Sequence, residues 1–216
     1  MKDTAVIFDL DGTLLDSLED IKDSVNAVLR RHGYGERSLE EIRSFVGNGA
    51  ERLIRLAAPE GCGEIPQLLA GFREHYQMHC RDKTKPYDGI PEAIEKLAES
   101  YPLAIVSNKP DESVKTLCGV LFPGVYALGE TANCRRKPAP DMILRTMEIL
   151  GTPRCIYVGD SEVDIAAAKN TGVPCISVLW GFADRKSLEE AGAAHLCESP
   201  AQLPALVEQM EEIYGK

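Results

Sequence analysis

The feature that most constrains the fold is a set of short apolar runs that alternate with helical patterns. Most of these runs are continuous rather than alternating, which is typical of strands buried on both faces of a parallel sheet. They cover residues 5–8, 103–107, 125–128, 155–158 and 175–179. Helical patterns begin at Pro91 and at Asp141, follow Asp164, and recur near residues 203–214. This order predicts an α/β fold with a doubly wound, Rossmann-like parallel-sheet core.

One region interrupts the alternation. Residues 18 to 83 show only helical periodicity, with one apolar stripe from Leu18 to Leu29 and others around Leu53 and from Leu68 to Cys80. A helical stretch of this length directly after the first strand indicates an inserted domain. We therefore expect an α/β core of residues 1–14 and 84–216, and a small α-helical cap of residues 15–83.

Charge and cysteine content limit the partners. The formal net charge is -10, which disfavours a nucleic-acid backbone or an anionic membrane surface as the main partner. The seven cysteines are widely spaced and odd in number, which favours a reducing compartment over a disulfide framework or zinc site. No signal peptide is expected, because aspartates interrupt the first apolar run. We expect a cytoplasmic protein, as a monomer or homodimer, that acts on a small molecule.

The stretch VIFDLDGTLLDS, residues 6–17, places carboxylates directly after the first strand. Asp16 and Ser17 are expected to cap the helix that follows. Asp9 and Asp11 have no such explanation, since two neighbouring carboxylates repel each other unless a cation or a proton holds them together. These two residues are therefore candidates for a site.

Further polar residues follow other predicted strands. Ser107 and Asn108 end the second run, Asp160 ends a later one with Asp164 four residues on, and Lys137 precedes a predicted helix. In an open α/β sheet, ligands bind beyond the carboxyl ends of the strands. We therefore expect these side chains to meet Asp9 and Asp11 along one edge of the sheet.

Phosphoryl transfer through a covalent aspartyl-phosphate needs such a set. A carboxylate can attack a phosphate once a cation cancels their repulsion, and Mg²⁺ with oxygen ligands is suited to this. An ammonium and a hydroxyl can then orient the phosphate oxygens. A second carboxylate can serve as general acid and then as general base.

The motifs DLDGTL, VSNK, KPAPD and GDSEVD, in this order, resemble the haloacid dehalogenase superfamily of phosphohydrolases nearly from end to end. The resemblance implies a Mg²⁺-dependent phosphomonoester hydrolase with a small helical cap. By this resemblance Asp9 is the nucleophile, and Asp11 is the general acid and base, with its backbone carbonyl also reaching the metal. Asp160 binds the metal together with Asp9, and Asp164 lies behind the metal or binds it through water. The phosphate ligands are Ser107, Asn108 and Lys137.

The cap is expected to select the substrate. The stretch FVGNGAERLI, residues 45–54, resembles the cap loop of bacterial phosphoglycolate phosphatases. Gly47, Asn48 and Gly49 can expose backbone N–H groups to an anion at a helix N-terminus, with Arg52 one turn later. The resemblance implies 2-phosphoglycolate as substrate. From the residues themselves we expect the Gly47–Gly49 amides and Arg52 to bind its carboxylate, with Arg43 and Lys22 as the next candidates.

Other functions remain open at this point. A phosphosugar mutase or a pyrophosphatase of the same superfamily would share the core motifs. The mutases carry a histidine in the first cap helix and a lysine in the third, where this chain has Ile21 and Gln77 or Met78. A non-enzymatic alternative is a phospho-aspartate signalling domain or a phosphate-binding regulator, although a signalling receiver domain has no cap.

Overall fold

The computed structural model describes residues 2–214. Its strands are β1 Thr4–Phe8, β2 Leu15–Asp16, β3 Lys85–Pro86, β4 Leu103–Pro110, β5 Tyr126–Glu130, β6 Arg154–Gly159, β7 Cys175–Val178 and β8 His195–Cys197. Its helices are α1 Leu18–Arg31, α2 Leu39–Phe45, α3 Ala50–Ala57, α4 Ile65–His79, α5 Ile90–Ala98, α6 Asp111–Leu121, α7 Asp141–Leu150, α8 Glu162–Thr171, α9 Arg185–Glu190 and α10 Leu203–Tyr214, with a short 3₁₀ turn at Pro200–Gln202.

Six strands form the central sheet in the order β5-β4-β1-β6-β7-β8, and all of its neighbours pair in parallel. Alternate residues of β1 face opposite sides of this sheet, as the two-residue period of a strand requires. Val6 and Phe8 join one buried cluster, and Ala5 and Ile7 join the other. The predicted α/β fold with a doubly wound parallel sheet is confirmed.

The strands predicted from the five apolar runs are present, with small shifts at their ends. The second one, β4, continues through Pro110 instead of ending at Ser107. Gly151 and Gly172, both in the left-handed backbone region, end α7 and α8. Elements without a predicted counterpart include α2, α6, α9 and β8.

Helices α1 to α4 pack together and form the part of the molecule that we call the cap. Its interior contains Val25 and Leu29 of α1 together with Leu68 and Phe72 of α4, all buried. Residues 18–83 contain no strand. The two-stranded antiparallel ladder of β2 and β3 pairs Asp16 with Lys85, at the point where the chain leaves and re-enters the core. The boundaries at residues 14/15 and 83/84 stay a prediction.

The capping predicted for the first cap helix is different in the structure. Asp16 belongs to β2, and Ser17 is the N-cap residue of α1 but makes no side-chain capping hydrogen bond. Its hydroxyl donates instead to Asp11 Oδ1. Across residues 2–214, none of the helices combines the length and the apolar character needed to cross a membrane.

Candidate active site

The adjacent strands β4, β1 and β6 bring most of the predicted residues to one edge of the sheet. Asp9 directly follows β1, Ser107 and Asn108 lie in the last half of β4, and Asp160 directly follows β6. The N–H of Asp9 donates to the carbonyl of Val158 over 2.8 Å, which extends the β1–β6 pairing by one residue. Since parallel strands end at the same edge, three separate parts of the sequence meet here.

The loop after Asp9 turns tightly around Asp160. Gly12 has φ of 83°, in the left-handed region that favours glycine. A Cβ at this position would overlap the carboxylate of Asp160. The neighbouring Thr13 donates its hydroxyl to Asp160 Oδ1 over 2.9 Å, and the N–H of Phe182 donates to Oδ2 over 2.7 Å. The Asp160 carboxylate is therefore fixed from two sides.

Lys137 is the buried cation beside Asp9. Its Nζ lies 2.7 Å from Asp9 Oδ1 and 2.8 Å from Asp164 Oδ1, and it also donates to the hydroxyl of Tyr157 over 2.9 Å. An ammonium has three N–H donors, so these three partners use all of them. Lys137 is thus held in one position directly beside Asp9.

Asp164 accepts hydrogen bonds on both of its oxygens. Lys137 and the Tyr157 hydroxyl donate to Oδ1, and the backbone and side chain of Ser161 donate to Oδ2 over 3.2 and 2.6 Å. The bond from the Ser161 N–H belongs to a capping box at the start of α8, in which the Ser161 side chain accepts in turn from the Asp164 N–H. Asp164 therefore holds Lys137 and the start of the helix in place.

Burial and mutual repulsion favour the protonated forms of two of these carboxyl groups. Desolvation and then the charge of Asp164 raise the pKa of Asp9 well above its usual range, and Lys137 offsets only part of this. Desolvation and the charge of Asp164 raise the pKa of Asp160 to about 7. A bound cation would favour the ionised forms again.

The carboxylates of Asp9, Asp160 and Asp164 fit a metal ion. Each can offer one oxygen, and these oxygens all lie within 4.8 Å of one another. All three side chains are buried, and Lys137 is the ammonium that balances their charge. Carboxylate oxygens are the ligands that hard divalent cations prefer. Asp11 is outside this group of three, because its carboxylate has other partners.

Asp11 is held by one residue of the core and one at the start of the cap. The ammonium of Lys109 lies 3.0 Å from Asp11 Oδ2, and Ser17 donates its hydroxyl to Oδ1. Lys109 also donates to the hydroxyl of Tyr76 in α4. Burial lowers the pKa of Lys109, but Asp11 and Tyr76 together outweigh this and the net shift is upward.

Ser107 and Asn108 connect this edge of the sheet to the cap. The N–H of Lys109 donates to Ser107 Oγ over 3.2 Å, which leaves the Ser107 hydroxyl hydrogen available to another acceptor. Asn108 Nδ2 donates to the carbonyls of Gly47 and Lys137, over 3.0 and 2.9 Å. Its Oδ1 is buried without a partner among the described residues.

A cavity of about 400 Å³ lies between this edge of the sheet and the cap. Core residues that the sequence predicts for the site line it, namely Asp9, Asp11, Ser107, Asn108, Lys137 and Asp160. From the predicted cap loop, Gly47 and Gly49 line the cavity, and Asn48 and Arg52 are not among its lining residues. Arg52 lies on the exposed face of α3, because Leu53 and Ile54 face the interior. The structure therefore does not bring Arg52 to the cavity, whereas Arg43 lines it.

Several residues of the site had no role predicted from the sequence. They include Thr13 and the Phe182 amide on Asp160, Tyr157 on Lys137, and Lys109 on Asp11. The motif VSNK contains Lys109, so its position directly after Ser107 and Asn108 was the available signal. Phe182 acts through its backbone, and no side-chain pattern reports that.

Comparisons with known proteins agree with this geometry. The family model for haloacid dehalogenase-like hydrolases matches residues 6–178. Phosphoglycolate phosphatase of Rhodobacter capsulatus is 35% identical over 217 residues, covering 94% of this chain and 96% of that protein. Phosphoglycolate phosphatase of Aquifex aeolicus is 34% identical over 184 residues, covering 82% and 85%.

A solved structure shares the whole architecture. It is a crystal structure from Lactobacillus delbrueckii subsp. bulgaricus, provisionally described as a phosphoglycolate phosphatase. It superimposes with a TM-score of 0.87 at 34% identity and covers 100% of both chains. With the family model spanning most of the sequence and the acidic motifs meeting at one cavity, the chain belongs to the haloacid dehalogenase-like hydrolase family.

Proposed function

We propose that the protein is a Mg²⁺-dependent phosphatase that hydrolyses 2-phosphoglycolate through a phosphorylated Asp9. The observation that carries this proposal is the position of Asp9 on the floor of the cavity, 2.7 Å from Lys137 and beside Asp160. The names of the relatives from Rhodobacter capsulatus and Aquifex aeolicus support the choice of substrate.

In the first step, a carboxylate oxygen of Asp9 attacks the phosphorus atom. A bond forms between Asp9 and phosphorus while the bond from phosphorus to the glycolate oxygen breaks. Asp11, two residues further on, protonates the departing oxygen. Ser17 and Lys109 hold the Asp11 carboxyl group toward the cavity for this transfer.

In the second step, water attacks the phosphorus of the phosphorylated Asp9. Asp11 has lost its proton in the first step, so it takes a proton from this water. The bond between phosphorus and Asp9 breaks, and phosphate leaves. One carboxyl group thus serves as acid and then as base, and the site returns to its initial state.

Two side chains would contact the transferred phosphoryl group, and a third would position them. Lys137 already contacts Asp9 and supplies a fixed positive charge beside the reacting oxygen. The Ser107 hydroxyl hydrogen lies at the same edge of the cavity, and Asn108, whose two amide hydrogens are used on the carbonyls of Gly47 and Lys137, would keep the loop of Lys137 in place. Donors fixed in a buried site stabilise developing charge more effectively than water does, because they need no reorganisation.

Asp9, Asp160 and the backbone carbonyl of Asp11 would hold Mg²⁺ in this account. When bound, the ion supplies positive charge that offsets the repulsion between the Asp9 carboxylate and the phosphate. Asp164 would act behind the metal or bind it through water, since it also holds Lys137 and the start of α8. Thr13 and the Phe182 amide keep Asp160 oriented toward the cavity.

The cap would exclude water during turnover. Gly47 of the cap accepts a hydrogen bond from Asn108, and Arg43 of the cap donates to the carbonyl of Gly181 over 3.0 Å. Ile21, Leu53 and Phe72 give the cap side of the cavity an apolar lining. A closed, largely apolar cover protects the phosphorylated aspartate from bulk water.

Release of inorganic phosphate tests the proposal. The substrates are 2-phosphoglycolate, sugar phosphates, a nucleotide, pyrophosphate and p-nitrophenyl phosphate, each measured with Mg²⁺ and with EDTA. We expect the highest kcat/KM with 2-phosphoglycolate, loss of activity with EDTA, and recovery when Mg²⁺ is restored. A higher kcat/KM with pyrophosphate or a sugar phosphate would reject the proposed substrate, and full turnover in EDTA would reject the metal.

We also propose that the reaction takes place in the cytoplasm. All seven cysteines are free thiols. Five of them are buried. Burial raises the pKa of the Cys155 thiol to about 12 and that of Cys197 to about 11, so these groups stay protonated. Free thiols in this number suit a reducing compartment.

A further inference from the structure

Lys109 is a buried cation on the wall of the cavity, and the reaction scheme uses it only to hold Asp11. It lies near the end of β4, and its side chain is only 4% exposed. Its ammonium contacts Asp11 Oδ2 at 3.0 Å and donates to the Tyr76 hydroxyl. The Tyr76 ring lies under the same ammonium, with 4.3 Å between Nζ and the ring centroid.

Both groups keep a hydrogen-bond donor that the protein does not use. The Lys109 ammonium has three N–H donors, and within residues 2–214 only Asp11 and Tyr76 accept from it. The Tyr76 hydroxyl accepts from Lys109, and no described residue accepts its own hydrogen. Tyr76 is 1% exposed and also lines the cavity. An N–H and an O–H donor therefore lie side by side at the cavity wall.

The other cations of the cavity suit an organic anion less well. Lys137 uses its three donors on Asp9, Asp164 and Tyr157. Arg43 is exposed and donates to the Gly181 carbonyl. Charge-assisted hydrogen bonds are stronger where water is excluded, and that condition holds for Lys109.

The position of Lys109 also matches the length of the substrate. In 2-phosphoglycolate, one methylene separates the bridging oxygen from the carboxylate carbon. Asp11 must reach that bridging oxygen in order to protonate it. The carboxylate carbon of the substrate lies two atoms from this bridging oxygen. A cation 3.0 Å from Asp11 is therefore on the side of the cavity where the substrate carboxylate would lie.

We propose that Lys109 and Tyr76 bind the carboxylate of the substrate, with the ammonium donating to one oxygen and the phenol hydroxyl to the other. This inference rests on the proposed function and names the residues that determine its specificity. It assigns the selection of small phosphorylated acids to a core lysine and a cap tyrosine, so a substrate carboxylate also connects the cap to the core.

The test is the ratio of kcat/KM for 2-phosphoglycolate to kcat/KM for ethyl phosphate. Ethyl phosphate has the same two-carbon length and a similarly poor leaving group, but it has no carboxylate. Any effect of a substitution on Asp11 changes both rates and cancels in the ratio. Lys109→Met removes the charge and is expected to lower the ratio about 10- to 100-fold. Lys109→Arg keeps a cation and is expected to retain most of the ratio.

Tyr76→Phe removes only the hydroxyl and keeps the packing of the ring, so it serves if Lys109→Met does not fold. It is expected to lower the ratio about threefold to tenfold. Arg52→Met is the matched control, because Arg52 lies on the exposed face of α3 and does not line the cavity, and its ratio is expected to stay at the wild-type value. The inference would be overturned if Lys109→Met and Tyr76→Phe each lost the same fraction of kcat/KM on both substrates, because their ratios would then equal the wild-type ratio. A wild-type ratio near one would instead reject 2-phosphoglycolate as the substrate.

Discussion

Asn108 in the core donates a hydrogen bond to the main-chain carbonyl of Gly47 in the cap, with 3.0 Å between Nδ2 and the oxygen. The same nitrogen donates to the carbonyl of Lys137 over 2.9 Å. One amide therefore joins the cap loop, the end of β4 and the loop that carries the buried lysine. Its position makes cap closure and phosphate binding depend on the same side chain.

Asn108→Asp is expected to lower kcat/KM for 2-phosphoglycolate by about 10²–10³. The substitution keeps the shape of the side chain but replaces the donor with an acceptor, and it adds a negative charge beside the phosphate site. Phosphate release under saturating Mg²⁺ measures the effect.

Gln77→Leu is the control for this substitution. Gln77 of α4 also joins the cap to the core, through hydrogen bonds with Ser113 and Thr116 over 3.0 and 3.1 Å, but it does not line the cavity. Its kcat/KM is expected to stay within about threefold of wild type, because these half-buried hydrogen bonds lie away from the reacting groups. If both variants lost kcat/KM equally, the loss in Asn108→Asp would come from weaker attachment of the cap to the core and not from a change at the phosphate site.

The raised pKa of Asp160 gives a prediction for the metal-free protein. The pKa is about 7 in the folded state because of burial and the charge of Asp164, against an ordinary value of 3.8. At a pH between these two pKa values, Asp160 is protonated more often in the folded state than in the unfolded state. The contribution of Asp160 to stability is therefore present at low pH and is lost as pH rises toward and through 7.

Thermal unfolding in EDTA at pH 5.5 and pH 8 tests this sign. Asn in place of Asp160 cannot ionise, so the Tm of Asp160→Asn relative to wild type is expected to be higher at pH 8 than at pH 5.5. Loss of hydrogen bonds to Thr13 or Phe182 shifts both measurements equally and does not affect this comparison. A relative Tm that is the same at both pH values would show that Asp160 is not protonated in this range.

Gly181 is expected to tolerate no side chain. A Cβ at this position would overlap the Cβ of Asp160 and lie 2.5 Å from the Gly12 carbonyl. Gly181→Ala should therefore displace Asp160 and weaken Mg²⁺ binding at least about tenfold, since ligands that are held less firmly bind a metal less tightly. Titration calorimetry with Mg²⁺ measures this.

Gly119→Ala provides the comparison for that variant. Gly119 lies inside α6, and a Cβ there would meet no atom within 4 Å. Alanine is the better helix former, so stability should rise by up to about 1 kcal/mol with Mg²⁺ affinity unchanged. Unchanged affinity in Gly181→Ala as well would mean that Asp160 is not a metal ligand.

The sequence predicts the core well because its strands are buried on both faces. Continuous apolar runs such as residues 155–158 are typical of strands buried in a parallel sheet. In the structure β1 and β6 are adjacent and parallel, so Asp9 and Asp160, which follow them, lie side by side. Short elements are harder to predict. Helix α2 has seven residues with Ile42 as its buried residue, and β8 has three residues, so their periodicity is too brief to detect.

The cap side of the cavity could not be predicted in the same way. Arg52 was expected to face the substrate because it follows a glycine loop, but the rotation of α3 turns it toward solvent. That rotation depends on how Leu53 and Ile54 pack against the other cap helices. The pairing of Lys109 with Tyr76 joins residues 33 positions apart on different elements, so only the packed structure brings it into view.

Trapping the phosphoryl group on Asp9 tests the proposed mechanism. The Asp11→Asn variant lacks the acid for the first step and the base for the second, with turnover of 2-phosphoglycolate expected to be about 10²–10⁴-fold slower than wild type. The leaving group of p-nitrophenyl phosphate needs no proton, so this substrate should still phosphorylate Asp9 in the variant, and the phosphorylated form should persist. Acid quenching after mixing with p-nitrophenyl phosphate and Mg²⁺, followed by peptide mass spectrometry, should find one phosphoryl group on Asp9. Phosphate bound to another residue, or undiminished turnover in Asp9→Asn, would contradict the account.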